Sequence, residues 1–160
     1  MSIIGFTGTQ KGMTSFQKDT LKEILLDKKC SEFHFGDCIG SDAEACDIAI
    51  ECGVEFFTIH PPKEVKKRAW KFDSGKHTAF SIPIKWMVFI SMFGSNIRVR
   101  WRLPLPYMER NQNIVNETNL LIATPKEHTM TMRSGTWSTI RKSWKLKKEV
   151  IIIPPIIRDE

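Results

Sequence analysis

The chain has 160 residues, 41% of them hydrophobic and 26% charged, and a formal net charge of +6. This composition supports one buried core of ordinary domain size and excludes a disordered or fibrous chain. The longest apolar run, Ile82 to Phe93, is interrupted by Lys85 and falls short of the roughly 20 residues of a spanning helix, and the opening residues MSIIGFTGTQ lack the basic and apolar regions of a secretory signal. The expectation is a cytoplasmic protein with no membrane partner.

Strand and helix signals alternate along the chain. Ser2 to Thr7 is a short apolar run that stops at Gly8-Thr9, as a strand entering a turn does. Thr14 and Gln17 have capping-box spacing, and Phe16, Thr20, Leu21, Ile24 and Leu25 predict a helix up to about Lys29. Glu32 to Gly36 reads as a second strand, Asp42 to Cys52 as a helix stopped by Gly53, and Val54 to Ile59 as a third strand closed by His60-Pro61-Pro62. Lys63 to Phe72 is expected to start a helix, whereas Ile82 to Phe93 reads equally as strand or helix. Further on, a helix is predicted over Tyr107 to Glu117, a strand over Asn119 to Ala123 and a polar loop over Thr124 to Arg133. A helix from Ser134 to about Leu146 and a strand over Val150 to Ile153 complete the pattern. Such alternation predicts an α/β fold with parallel strands, and near-continuous apolar strands predict a sheet covered on both faces.

Charge and cysteine add constraints. Between Lys63 and Arg102 ten basic residues face only Glu64 and Asp73, so this segment holds the chain's positive excess. It is either a solvated face or a surface for nucleic acid. Cys30, Cys38, Cys46 and Cys52 form no C-x-x-C pair and are expected as reduced thiols, with no metal site and no cofactor.

In an open parallel sheet, ligands bind at the carboxyl ends of the strands. Four turns there carry the chemistry. Gly8 to Thr14 offers Gly8, Thr9 and Lys11 beside a helix start whose amides and dipole favour an anion, although the run is neither a Walker loop nor G-x-G-x-x-G. Gly36 to Asp42 holds two glycines, Gly36 and Gly40, and two carboxylates. Ser41 or Asp42 is expected to cap the next helix, a contribution of about 1 kcal/mol that needs no ligand, which leaves Asp37 to accept from a ribose hydroxyl or a base amine. Tyr107 to Asn111 supplies the rigid fork of Arg110, suited to phosphate, and Asn111. Arg133, Ser134, Gly135 and Thr136 open a helix with small polar residues, a common phosphate cradle, while Trp137 is assigned to the core. Together the four turns predict a nucleotide-sized pocket.

These residues resemble the SLOG superfamily, which includes DprA/Smf-type proteins and the LOG phosphoribohydrolases. The resemblance rests on Gly5-Phe-Thr-Gly-Thr9, Gly36-Asp-Cys-Ile-Gly-Ser-Asp42, Met108-Glu-Arg-Asn111 and Gly135-Thr136, and covers about residues 1–62 and 103–155. It implies a Rossmann-like three-layer sandwich of about five or more mostly parallel strands, one domain over residues 1–160, an insertion at 74–102, and dimers. The LOG motif M-x-x-R-K is matched by Met108 to Asn111 with Asn in place of Lys, and the position of the LOG glutamate falls on Thr139. Threonine cannot act as the carboxylate that cleavage of an N-glycosidic bond calls for. Glu109, Asp37 and Asp42 are the carboxylates left to replace it. The resemblance therefore implies first a module that binds a nucleotide or nucleotide-derived ligand. A LOG-like nucleoside monophosphate glycosidase and a DprA-like binder of single-stranded DNA are the alternatives.

Overall fold

The computed structural model describes residues 2–72, 86–90 and 96–159. One sheet organises them. Its strands are β1 (Ser2–Gly8), β2 (Cys30–Phe35), β3 (Phe56–Ile59), β4 (Trp86–Ile90), β5 (Asn96–Trp101), β6 (Leu120–Thr124) and β7 (Glu149–Ile152), in the spatial order β4-β5-β3-β2-β1-β6-β7. Six strands are parallel, and β4 pairs antiparallel with β5 at one edge. Four helices flank it: α1 (Ser15–Asp27), α2 (Ser41–Glu51), α3 (Tyr107–Glu117) and α4 (Gly135–Lys145). This is a Rossmann-like α/β architecture.

Strand alternation sorts the residues between two faces. Ile4, Phe6, Phe33, Phe35, Phe57, Ile59, Ile97 and Val99 point to the side of α1 and α2, where they meet Leu21, Leu25, Ala45, Cys46 and Ala49 in the main core. Phe33 of β2 lies 6.0 Å, centroid to centroid, from Phe6 of β1 and 6.2 Å from Phe57 of β3, so the aromatic rings bind adjacent strands together on this face. On the opposite face Leu121 and Ala123 pack with Ile114 of α3 and with Trp137 and Ile140 of α4. Trp137 is a core residue, as its apolar bulk predicts.

The capping box at α1 is present: Gln17 N donates to Thr14 Oγ1 at 3.2 Å and Thr14 N to Gln17 Oε1 at 3.0 Å. At α2 the outcome differs. The cap position is Gly40, with no side-chain cap; Ser41 Oγ donates instead to Thr9 O at 2.6 Å and Asp42 Oδ2 accepts from Cys38 N at 3.2 Å. The two side chains that could have capped the helix instead tie the start of α2 to the β1–α1 loop and to the loop that leads into α2. The helix expected after Lys63 is only a 3-10 turn over Val65–Lys67. Tertiary contacts override its helical composition. Arg68 pairs in an isolated bridge with Cys38, Ala69 N donates to Asp37 O at 2.7 Å, and Trp70 takes a positive φ of 57° with its ring 3.7 Å from the Arg68 guanidinium carbon.

The segment 74–102, expected as an insertion, supplies strands β4 and β5. β5 is hydrogen-bonded on both sides, to β3 and to β4, so this part belongs to the sheet. The aromatic side chains of Trp86, Phe89 and Phe93 in the same stretch lie outside the described residues. No helix of the described residues is long and apolar enough to cross a membrane. Cys30, Cys38, Cys46 and Cys52 are free thiols, and burial pushes the Cys30 thiol up to about 12 and Cys38 to about 11, which keeps both protonated at neutral pH.

The carboxyl end of α3 is closed by Lys148, whose Nζ donates to the carbonyls of Val115, Asn116 and Thr118. An ammonium on carbonyls at the negative end of a helix is favourable twice over, as a cap and as a charge. Lys148→Met is expected to destabilise the chain by about 1–2 kcal/mol, read as a shifted urea midpoint at unchanged slope. An unchanged midpoint would show that water replaces the ammonium at no cost.

Candidate functional site

The strand order reverses direction between β1 and β6, and the loops leaving their carboxyl ends part there. A cavity of about 540 Å³ opens at this point. Its wall is built by the β1–α1 loop (Gly8, Thr9, Gln10, Lys11), the end of β2 (Gly36, Cys38), the start of α2 (Asp42), one face of α3 (Tyr107, Arg110, Asn111) and the β6–α4 loop with the start of α4 (Lys126, Glu127, Arg133 to Thr136). The turns that the sequence singled out as separate polar runs converge on one space.

Arg110 is the buried charge of this cavity, with 6% of its surface exposed. Its Nη1 donates to Gly36 O at 3.4 Å and to Cys38 Sγ at 2.8 Å, while Nε is buried with no partner. A buried guanidinium N–H left unpaired is costly, and a guanidinium that turns toward an anion in the cavity would remove that cost. Gly36 is required for this placement. A Cβ there would lie 2.8 Å from Arg110 Nη1 and 2.7 Å from Asp42 Oδ2, so any side chain would wedge the two apart.

Asp42 is the matching carboxylate. Burial raises its pKa to about 6, and the positive charge of Arg110 and the Cys38 N–H pull the other way. The folded protein therefore holds this proton more tightly than the unfolded chain does. The contribution of Asp42 to stability is fully present below about pH 4 and lost, by up to about 3 kcal/mol, as pH rises to 6; the buried Asp37 carboxyl, whose pKa burial also raises, acts in the same sense. Glu32 acts in the opposite sense but chiefly below pH 4.5. The N–H of His34 lowers its pKa to about 2, against the effect of burial and helped by the Thr58 hydroxyl. Asp42→Asn should reduce the slope between pH 4 and 6 in urea unfolding, and an unreduced slope would contradict the assignment.

Ser134 forms the far wall. It caps α4 by accepting from Trp137 N at 3.3 Å, which leaves the first-turn amides at the positive end of the helix dipole beside the cavity. Tyr107 lies across this helix start, close enough that a Cβ on Gly135 would fall 1.3 Å from its hydroxyl. Its ring also sits 5.7 Å from the Arg110 guanidinium carbon. A second space, about 670 Å³, continues from Gln10, Cys38, Tyr107 and Arg110 toward Lys63, Glu64 and Lys67.

Gly8, Thr9, Gly36, Asp42, Arg110, Asn111, Arg133, Ser134, Gly135 and Thr136 all line the cavity. Asp37, Gly40 and Glu109 are placed elsewhere. Asp37 is buried, and its two oxygens take Arg68 Nη2 at 3.4 Å and Lys71 N at 3.1 Å, which anchors the loop after β3. Gly40 packs on the backbone of Gln10, and Glu109 is exposed on the outer side of α3 near Lys142. Thr139 is fully buried and its hydroxyl donates to Gly135 O within α4 at 2.9 Å. The polar β6–α4 loop adds lining residues that no sequence signal marks, Lys126, Glu127 and Thr131. Glu127 has one buried unpaired carboxylate oxygen.

No protein-family model matches the chain, and no curated protein matches it. Among solved structures, the DNA processing protein A (DprA) of Streptococcus pneumoniae is similar, with a TM-score of 0.60 at 17% identity. The match covers 98% of this chain and 52% of that one, so the chain spans about half the length of the structure it resembles. The likeness is one of fold.

Proposed function

We propose that the cavity binds a nucleotide or nucleotide-derived ligand through its phosphate. Arg110 and the first-turn amides of α4 hold the anion, the Gly8–Lys11 loop closes over it, and Glu127 accepts from sugar hydroxyls or a base amine. The observation that carries this reading is the buried, unpartnered Nε of Arg110 in a wall that also contains a capped helix start. The volume of about 540 Å³ suits one nucleotide. Calorimetric titration with nucleoside monophosphates, cyclic nucleotides and dinucleoside monophosphates is the test. Binding that requires phosphate, and is absent with the corresponding nucleosides, is expected; no heat at millimolar ligand would reject the reading.

One observation favours a strand of nucleic acid as the ligand. The second space runs from Arg110 past Tyr107 to Lys63 and Lys67, a route for successive phosphates. On that reading affinity rises with oligonucleotide length and falls steeply with salt, whereas a mononucleotide site shows neither.

A further inference from the structure

On the α3 side of the sheet, β2 and β3 carry polar residues where the other face carries phenylalanine. His34 of β2, His60 just beyond β3 and Glu117 at the end of α3 meet there, the first two buried to within 2% of full. His34 Nδ1 and His60 Nε2 are 2.9 Å apart, and Glu117 Oε2 lies 3.7 Å from the first and 3.8 Å from the second. Among the described residues these three form the group whose ligand atoms all lie within 4.8 Å of one another.

We propose that His34, His60 and Glu117 bind a divalent transition-metal ion of the Zn²⁺ class. The three atoms outline a triangle whose centre is about 2.0 Å from each, the bond length of zinc to imidazole nitrogen and carboxylate oxygen. Two imidazoles and one carboxylate leave the fourth tetrahedral position for water.

The surroundings select the ligating tautomer. His34 Nε2 is 2.8 Å from Glu32 Oε1, which also accepts from Thr58 Oγ1 at 2.7 Å. A carboxylate on Nε2–H places the proton there and turns the Nδ1 lone pair toward the site, as the partners of metal-bound histidines do. Glu117 is held in place by Arg102, whose Nε and Nη2 donate to its Oε2 at 3.1 Å and 2.9 Å. A purely structural histidine pair needs one hydrogen bond between the rings. It does not need a third oxygen near 3.8 Å from both rings, or a carboxylate orienting the far nitrogen of one of them. The cysteine spacing predicts no metal site, and these three donors, on separate elements, form no spaced motif that would predict one.

The test uses the whole chain, stripped with a chelator and titrated with Zn²⁺ and Co²⁺. One ion per chain is expected, with a raised melting temperature and a visible Co²⁺ spectrum of low-symmetry N/O coordination. X-ray absorption of the unmutated Zn²⁺-loaded chain should show nitrogen and oxygen neighbours with imidazole scattering. His60→Gln and Glu117→Gln should each weaken binding at least 100-fold, Glu32→Gln about 10-fold with the ion retained, and His128→Gln, at an exposed loop position, not at all. Failure to bind at about 100 μM Zn²⁺ overturns the proposal. Thiolate charge-transfer bands or sulfur neighbours overturn it equally, since they place the ion on cysteine. Should a histidine variant fail to fold, the absorption spectrum of the unmutated chain decides alone.

Discussion

Arg110→Gln should lower the affinity of the cavity for a phosphate-bearing ligand about 100-fold, with the chain still folded. The guanidinium is buried in the cavity wall, donates to Gly36 O and Cys38 Sγ, and leaves its Nε buried and unpaired. Charge-assisted hydrogen bonds to an anion in such a setting are worth a few kcal/mol, and losing one buried partner costs about 2–5 kcal/mol. The same substitution leaves Asp42 buried without its cation, so the carboxyl should keep its proton to higher pH and the chain should lose some stability at pH 7. Arg158→Gln is the control. Arg158 is exposed and pairs with Asp19 at 3.0 Å, a contact worth little. Calorimetry on both variants separates the cases, and an Arg110→Gln affinity within threefold of the unmutated chain would remove Arg110 from the site.

Gly40→Ala should be the most destabilising glycine-to-alanine change among the described residues, costing about 3 kcal/mol or more. Gly40 has φ +89°, which L side chains rarely adopt, and its missing Cβ would lie 2.2 Å from Gln10 O. The obstacle is backbone, so no rotamer change relieves it, and the β1–α1 loop must move. Gly53 gives the comparison. It shares a positive φ, +82°, but nothing lies within 4 Å of its Cβ position. Gly53→Ala therefore carries the backbone strain alone, about 1 kcal/mol. Urea unfolding of the two variants measures the difference, and equal losses would show that the loop contact at Gln10 is soft.

Much of the fold was legible because its signals are local. The capping box at Thr14, the stop at Gly53 and the apolar strands each arise within a few residues, and alternation of strand and helix is enough to require a parallel sheet. What was not legible depends on contacts distant in sequence. Lys63 to Phe72 has helix-forming composition, yet Asp37, 31 residues before Arg68, holds it extended. Ser41 and Asp42 have the chemistry of caps, yet Thr9 O and Cys38 N claim them first. The site divides in the same way. Its glycines, Arg110 and Ser134 announce themselves by type and by position after a strand. Glu127 sits in a loop without pattern, and Asp37 has the right type but is turned toward Arg68. Histidines on neighbouring strands but far apart in sequence, such as His34 in β2 and His60 just past β3, show nothing until the register of the two strands sets them side by side.

The most direct measurement is a crystal structure of the chain with a dinucleoside monophosphate, whose single phosphodiester has one charge at any working pH. The phosphate is expected within hydrogen-bond distance of Arg110 and of the backbone amides that follow Ser134, with one sugar toward Glu127. A phosphate bound elsewhere, with Arg110 still on Gly36 and Cys38 and its Nε unpaired at saturating ligand, would contradict the anion-binding role of this cavity.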